Sequence, residues 1–288
     1  MPGCARSFQT DLKAWLRDDY DSSSNWLQST RDLFCFHFMM YFIQLALNLR
    51  REFDHVLETG EPYQPEVLET YFGLWDERAT HDRPFKRQWR ERGRNGIEGD
   101  IYDSWGRLGV INIITETANE AGYESTYSLS EAVADLPSRV QQRCAENIEE
   151  HLTPEARERN PTLPGAANRL TVAVRQNYEE RSRSNQTPIT MGINVVRQLG
   201  DGQGRKFWRT QQKIGPTLRL NRNALRFFAR LFTLAKDDVH YEMFVEYLQR
   251  RGISLDTQSQ NLALEELDEM GMIDRQSDSG GAVYVRSI

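Results

Sequence analysis

The sequence predicts a mainly α-helical protein: a helical N-terminal domain around one long apolar helix, then a C-terminal winged-helix-like domain with a small β-hairpin. Two observations carry this prediction. In residues 33–49, fourteen of seventeen positions are apolar or aromatic. After residue 216, three amphipathic helical patterns precede two short strand-like runs. Helix, helix, helix, hairpin is the order of a winged-helix domain.

The run 33–49 is predicted to be the central core helix of the N-terminal domain. His37, Gln44 and Asn48 interrupt it and, at about 100° per residue, share one narrow stripe with Tyr41. A helix that is apolar on most sides with one polar seam is typical of a buried helix. The run is also shorter than the roughly 20 residues that a bilayer core requires. We therefore expect a soluble protein in which the seam is buried against polar partners or at an interface.

Helical spacing predicts the other N-terminal elements. We expect helices at residues 8–17, from a cap at 22–24 to about 53, at 66–75 behind Pro65, at 101–122, and at 129–152 with a break near Pro137. Residues 153–164 are rich in Pro, Glu, Arg and Asn, which is typical of a linker or surface loop. A further helix is expected at 166–178, followed by a polar, mobile segment at 179–188.

The C-terminal patterns are shorter and more regular. We expect a strand at 217–220, helices at 221–236 and 241–251, and a third helix that Asp256 or Thr257 caps. Two strands, 272–275 and 282–286, surround a hairpin turn of sequence SDSGG. The predicted domains are therefore 1–160 (helical), 161–215 (a helix plus a basic arm or linker) and 216–288 (winged-helix-like).

Several classes of enzyme lack support in the sequence. The 288 residues contain neither a GxxxxGK[ST] phosphate loop nor a GxSxG nucleophile motif, and GDGQG at 200–204 is expected to be a turn. The three cysteines, Cys4, Cys35 and Cys144, are widely separated, and the five histidines show no HxH or HxxxH spacing. No secretory signal is visible. We expect a cytoplasmic protein without a cofactor or metal and, in all, no catalytic role.

One acidic cluster admits a different interpretation. Glu77 and His81 are four residues apart and, with Asp82, are the candidates for a metal-dependent nuclease site. However, arginines at 78, 83 and 87 are available to pair with the carboxylates. A structural salt-bridge network is the favoured interpretation, and the nuclease is the least favoured functional hypothesis.

Charge is strongly segregated along the chain. The net charge is −6, yet residues 181–236 contain twelve Arg or Lys residues and a single acid, Asp201. Residues 237–288 contain eleven acids and four bases. A concentrated basic segment in an acidic protein indicates a polyanionic or acidic partner at that segment.

Two parts of the basic segment are suited to DNA. The run RKFWRTQQK at 205–213 alternates basic and aromatic residues, which suits phosphate neutralisation and base stacking. In the next helix, arginines at i, i+4 and i+8 form one basic stripe. The predicted DNA-contacting residues are Arg205, Lys206, Trp208, Arg209, Lys213, Arg222, Arg226 and Arg230.

Two other interpretations of the basic segment remain: contact with a protein partner, or pairing with the acidic C-terminal helices. The third helix of the predicted winged helix lies in the major groove in most DNA-binding members. Here it carries Glu265, Glu266, Asp268 and Glu269, which would face phosphates. We therefore expect this domain to dock protein, or to touch DNA through its first helix and the basic arm.

Three stretches resemble the DNA phosphorothioation-dependent restriction protein DptG (DndG) family. They are FIQLALN at 42–48, WDERATHDR at 75–83 and SDSGGAVYV at 277–285. The resemblance implies an accessory subunit of a bacterial defence complex, which works with a helicase-like ATPase and another subunit to restrict DNA that lacks the modification. It carries no catalytic residues over to this chain.

The function expected from the sequence is therefore a non-catalytic, DNA-associated subunit of a phosphorothioation-dependent restriction (anti-phage defence) complex. The basic arm would contact the DNA backbone, and the helical and winged-helix domains would bind partner subunits. The alternative is an assembly scaffold that does not touch DNA. No membrane contact is expected.

Overall fold

The protein is described by a computed structural model. It describes residues 2–17, 23–77, 83–89, 96–123, 129–134, 136–181, 188–202, 206–211, 215–235, 239–275 and 282–286. The described chain is mainly helical with a few small strands, which confirms the predicted class.

The chain divides into two compact units that are interleaved along the sequence. The first contains residues 1–44, 66–96 and 195–288, and the second contains 45–65 and 97–194. This division differs from the predicted consecutive segments 1–160, 161–215 and 216–288. The reason is that strands distant in sequence pair within the first unit, which joins residues 66–96 to the C-terminal elements.

The first unit begins with α1 (Pro2–Leu16) and includes the first part of the long helix α2 (Ser23–Thr59). Its other N-terminal elements are β1 (Thr70–Tyr71), β2 (Gly73–Leu74) and the short helix α3 (Pro84–Arg87). Aromatic side chains fill its core: Phe36 lies 4.7 Å from Phe228 and 5.1 Å from Phe207 between ring centroids.

Helix α2 has the predicted buried polar seam, with one exception. Gln44 donates to the Leu68 carbonyl and accepts from the Leu68 amide, both at 2.7 Å. Asn48 accepts from the Tyr63 hydroxyl at 3.1 Å. Tyr41, however, is 39% exposed, so its predicted burial against polar partners within the chain is wrong, and its burial at an interface stays a prediction. Residues 26–59 have the length and composition of a membrane span, but 56% of their most apolar window is buried, a pattern compatible with a soluble protein.

The third member of the seam, His37, belongs to a buried network around the carboxylate of Asp11. The His37 Nε2 atom lies 3.0 Å from Asp11 Oδ2, and the Tyr247 hydroxyl donates to Oδ1 at 2.7 Å. Arg251 donates to both carboxylate oxygens. Asp11 is fully buried, and its pKa is lowered because these hydrogen bonds outweigh the desolvation that acts in the opposite direction.

The predicted helix at 66–75 is wrong. After Pro65 the chain runs extended, and β1 and β2 pair in parallel with β5 (Ile253–Ser254) and β4 (Gly215–Leu220). The amide of Thr70 donates to the Gly252 carbonyl at 3.1 Å, and the amide of Phe72 donates to the Ser254 carbonyl at 2.9 Å. Because these partners lie far away in sequence, the local helical pattern gave no sign of them.

The second unit is a helical assembly. It contains α4 (Ile97–Glu120), α5 (Leu129–Ala134), α6 (Ser138–Glu150), the 3₁₀ turn Pro154–Ala156, α7 (Leu163–Arg181) and residues 188–194 of α8 (Pro188–Gly200), whose remaining residues belong to the first unit. The break near Pro137 and the stop at Gly122, where φ is +85°, were both predicted. Helix α8 was not. Buried side chains of α2, α4, α5, α6 and α7 form one continuous core.

The C-terminal part of the first unit follows the predicted order of elements. The strands β3 (Trp208–Gln211) and β4 form an antiparallel pair. They precede α9 (Arg222–Ala235), α10 (Tyr241–Gln249), β5 and α11 (Thr257–Glu269). Asp256 caps α11, accepting from the Ser259 amide at 2.9 Å, as predicted.

The chain ends in an antiparallel hairpin of β6 (Ile273–Arg275) and β7 (Val283–Val285). The predicted SDSGG turn at 277–281 lies outside the described residues. A short stretch before α10 adds to this hairpin: the Val285 amide donates to the Val239 carbonyl at 2.7 Å, and His240 bridges to Tyr284.

The buried His37 generates a pH prediction. Burial lowers its pKa below the ordinary value of about 6.5, despite the opposing effect of Asp11. Below about pH 6.5 the unfolded chain therefore binds a proton that the folded chain does not, and the free energy of unfolding should fall as pH falls. In His37→Gln, this part of the dependence should disappear from urea unfolding curves recorded between pH 7.5 and 5. Exposed His151→Gln is the control. Identical slopes for His37→Gln and the unsubstituted protein would contradict the argument.

The turn between α10 and β5 generates a second prediction. Gly252 has φ of +80°, and a Cβ there would lie 2.8 Å from both Gln44 Nε2 and Met40 Cε. Gly252→Ala should therefore reduce the free energy of unfolding by the roughly 1–3 kcal/mol that a strained backbone costs, and by a further amount for the close contacts of the new Cβ atom. Gly60→Ala is the matched control, since φ is +74° but no atom lies within 4 Å. Equal losses of unfolding free energy in both variants would show that the predicted clash is relieved at no cost.

Candidate functional site

The predicted DNA-contacting residues fall on β3, on the bridge before it, and on α9. Six of the eight are described, whereas Arg205 and Lys213 lie outside the described residues. The six do not share one environment. Their burial and their partners decide which of them a ligand can reach.

The aromatic residues of this segment belong to the core. Phe207 is 1% exposed and Trp208 is 4% exposed. The Trp208 ring stands perpendicular to Trp89 with centroids 4.4 Å apart, and its indole N–H donates to Thr210 at 3.0 Å. A ring enclosed in this way offers no face to a base. The predicted stacking role of Trp208 is therefore wrong, because its ring packs against Trp89 in the core.

Lys206 and Arg209 lie beside the ring of Trp75. The Arg209 guanidinium is 4.9 Å from the ring centroid and donates to the Trp75 carbonyl, while Asp76 lies 3.8 Å away. The Lys206 ammonium is 5.8 Å from the same ring and 3.4 Å from Asp201. Both cations are thus partly neutralised within the chain, and the Arg209 side chain is only 26% exposed.

The three arginines of α9 also differ in their burial and in their partners. Arg222 forms ion pairs with Glu266 and Glu269 of α11 at 3.5 and 3.3 Å. Arg226 is exposed and Arg230 is half-buried. Pairing with the acidic C-terminal helix, one of the three interpretations of the basic segment, therefore applies to Arg222.

A cleft of about 510 Å³ lies beside Trp75, Lys206 and Arg222. Trp75, Leu220 and Leu262 supply apolar lining, and Lys206 and Arg222 supply positive charge. The carboxylates in the wall outnumber these cations; they are Asp76, Glu77, Glu265, Glu266 and Glu269. The acidic side chains make the cleft attractive to cationic groups and repulsive to phosphates.

A buried arginine near the cleft, Arg219, has a structural role that the sequence did not predict. Arg219 is fully buried, its guanidinium lies 4.3 Å from the Phe85 ring centroid, and it donates to the carbonyls of Leu74 and Glu77 at 2.5 and 2.9 Å. Burial lowers the pKa of Arg219 to about 10. Counting Arg219 among the exposed bases therefore overstates the surface charge of the segment.

Glu77 takes part in a structural network rather than a metal site. Its carboxylate pairs with Arg83 and accepts from the Leu74 amide and the Ser259 hydroxyl, both at 2.9 Å. Arg83 also binds the Asp256 carboxylate, with Nε at 2.9 Å. Among the described residues no group of three metal-ligating side chains is present; His81 and Asp82 lie outside them. The salt-bridge interpretation of Glu77 is confirmed.

No model of a known protein family matches the chain, and no curated protein matches it. The site is therefore interpreted from its own chemistry. That chemistry is an acidic cleft with an aromatic wall, flanked by arginines that are largely engaged within the fold.

The placement of Trp208 generates a stability prediction. Trp208→Ala should reduce the free energy of unfolding by about 3–5 kcal/mol, as for other buried aromatic side chains. Arg226→Ala, on the exposed side of α9, should change it by no more than about 0.5 kcal/mol. Chemical denaturation followed by circular dichroism measures both. If Trp208→Ala were as stable as Arg226→Ala, Trp208 would not be buried in the core, and its predicted stacking role would be possible again.

Proposed function

We propose that this chain is an interaction subunit whose C-terminal elements form a winged-helix-like domain that docks a basic segment of a partner protein. The observation that carries the proposal is the cleft in which carboxylates of α11 outnumber the cations. This corresponds to the scaffold alternative drawn from the sequence, with the docking surface now specified.

The order of elements supports the winged-helix assignment. Helices α9, α10 and α11 precede the β6–β7 hairpin, and residues 239–240 pair with β7 as a short first strand does in such domains. In this comparison α11 is the third helix, which reads the major groove in DNA-binding members. Its solvent-facing side carries Glu265, Asp268 and Glu269, so α11 is unsuited to approach phosphates.

The chemistry of the cleft suits a guanidinium or ammonium group. Arg222 already shows the mode of binding, since it lies between Glu266 and Glu269. Glu265 and the 90% exposed Asp76 side chain leave further carboxylate oxygens at the rim. An arginine-bearing segment would form charge-assisted hydrogen bonds with them beside the Trp75 ring.

The test is binding of a fluorescent ten-residue peptide of alternating Arg and Ser at about 0.15 M salt. The double substitution Glu265→Gln and Glu269→Gln removes two charges without changing shape, and it should weaken binding at least tenfold. Exposed Glu242→Gln, on α10 and outside the cleft, is the matched control and should have no effect. Equal binding by all three proteins, or none by the unsubstituted chain, would contradict the proposal.

A second candidate function is DNA association, favoured by the exposure of Arg226 one turn from Arg230. Binding of a 20-base-pair duplex should then weaken with salt, and Arg226→Glu with Arg230→Glu should weaken it for all sequences alike. Duplex binding that is insensitive to both salt and charge reversal would exclude this mode.

The resemblance to the phosphorothioation-dependent restriction family proposes the partners. They would be a helicase-like ATPase and another subunit of a DNA-restricting defence complex. Co-expression with each such protein, followed by purification through an affinity tag, tests this assignment. If the complex forms and survives Arg226→Glu with Arg230→Glu but not the Glu265 and Glu269 substitutions, docking through the acidic cleft is supported.

A further inference from the structure

Helix α2 also exposes an apolar surface along residues 27–42, distinct from its polar seam and called the α2 seam below. Leu27 is 65% exposed, Phe38 53% and Phe42 43%, and Phe34 and Tyr41 lie on the same side of the helix. The spacing is i, i+7, i+11 and i+14/15, the repeat by which one helix packs lengthwise against another. At 1.5 Å per residue the seam is about 22 Å long. Contiguous exposed apolar surface of this kind marks an interaction site.

A pocket opens beside the seam between α1 and α2. It has a volume of about 120 Å³ and is lined by Cys4, Ala5, Phe8, Phe34, His37, Phe38 and Tyr41. The ring centroids of Phe8 and Phe34 are 5.2 Å apart, and those of Phe8 and His37 are also 5.2 Å apart. An enclosed apolar cavity of about 150 Å³ holds a benzene molecule; this pocket is smaller but open to the surface, so it admits part of one aromatic ring.

The pocket wall also contains a hydrogen-bond acceptor. The Asp11 carboxylate, already bound by Arg251 and Tyr247, accepts a hydrogen bond from the Nε2–H group of His37. In the neutral ring, Nδ1 is then an acceptor. The His37 side chain is nine-tenths buried, and among the described residues Asp11 is its hydrogen-bond partner. An aromatic ring that carries a donor, the indole of Trp or the phenol of Tyr, matches this wall.

Charge distinguishes the occupant. Arg31 lies on the seam, one turn before Phe34, and is exposed. Among the described residues up to position 49, the exposed charged side chains are Arg6, Lys13, Arg17 and Arg31, whereas both acids, Asp11 and Asp32, are buried. A second copy would present the same basic face. A partner with carboxylates complements it.

We infer that the α2 seam docks an acidic amphipathic helix of a partner protein, with one Trp or Tyr side chain inserted in the pocket between α1 and α2 and a carboxylate paired with Arg31. This surface is separate from the acidic cleft and goes beyond the function proposed above. The mode is helix-in-groove recognition, in which a pocketed aromatic side chain supplies most of the affinity.

The experiment is selection from a displayed random library of 18-residue peptides on the full-length protein. Selected peptides should contain Trp or Tyr and an excess of Asp and Glu. Ala5→Phe, which places a ring in the pocket, should weaken their binding at least tenfold. Gln9→Phe adds the same ring on the exposed side of α1, outside the pocket lining, and should change binding less than twofold. Thermal unfolding of both variants verifies that they are folded.

A specificity readout separates docking from a structural effect. Arg31→Glu should select basic rather than acidic peptides, a reversal that misfolding cannot produce. Peptides that lack an aromatic residue, that are basic against the unsubstituted protein, or that bind Ala5→Phe equally well would overturn the inference. A concentration-dependent dimer that Ala5→Phe abolishes would also overturn it, because the seam would then bind a second copy. Binding to neutral phosphatidylcholine vesicles that Ala5→Phe abolishes would overturn it as well, because the seam would then bind a bilayer. Failure of this test leaves the acidic-cleft proposal standing, because Glu265 and Glu269 are not involved.

Discussion

The first unit depends on one buried carboxylate. Asp11 of α1 accepts hydrogen bonds from His37 of α2, from Tyr247 of α10 and from Arg251 just beyond α10. An ionised carboxylate with no access to water costs several kcal/mol unless it is fully paired, so these helices are constrained to one arrangement around it. That arrangement also forms the aromatic pocket between α1 and α2. The same contact thus connects the core to the surface that is proposed to dock a partner.

The basic segment illustrates how folding changes the meaning of a charge pattern. Twelve basic residues against one acid suggest an arm for a polyanion. In the structure, Arg219 is buried, Arg209 covers Trp75, and Arg222 pairs with α11. Part of the positive charge is therefore engaged within the same unit: Arg222 offsets carboxylates, and Arg219 donates to backbone carbonyls. The surface that results is a cleft of mixed charge with an acidic excess, which favours a protein partner over DNA at this position.

Local signals predicted local structure well. The Asp256 cap, the stop at Gly122 and the order of the C-terminal elements follow from side chains that act within a few residues of each other. The segment 66–75 was mistaken for a helix because its pairing partners lie at 219–220 and 253–254. The site was predictable in composition but not in arrangement. That Arg222 meets Glu266, or that Trp208 turns inward, depends on how helices and strands pack, which periodicity does not encode.

The central claim is that the solvent-facing side of α11 binds protein rather than nucleic acid. It is tested most directly by introducing photoreactive p-benzoylphenylalanine at position 261, an exposed side chain one turn before Glu265 on α11, and irradiating cells that express the chain. The expected result is a covalent adduct of increased mass on a denaturing gel, whose mass nuclease treatment leaves unchanged. An adduct that a nuclease removes would contradict it and assign α11 to DNA.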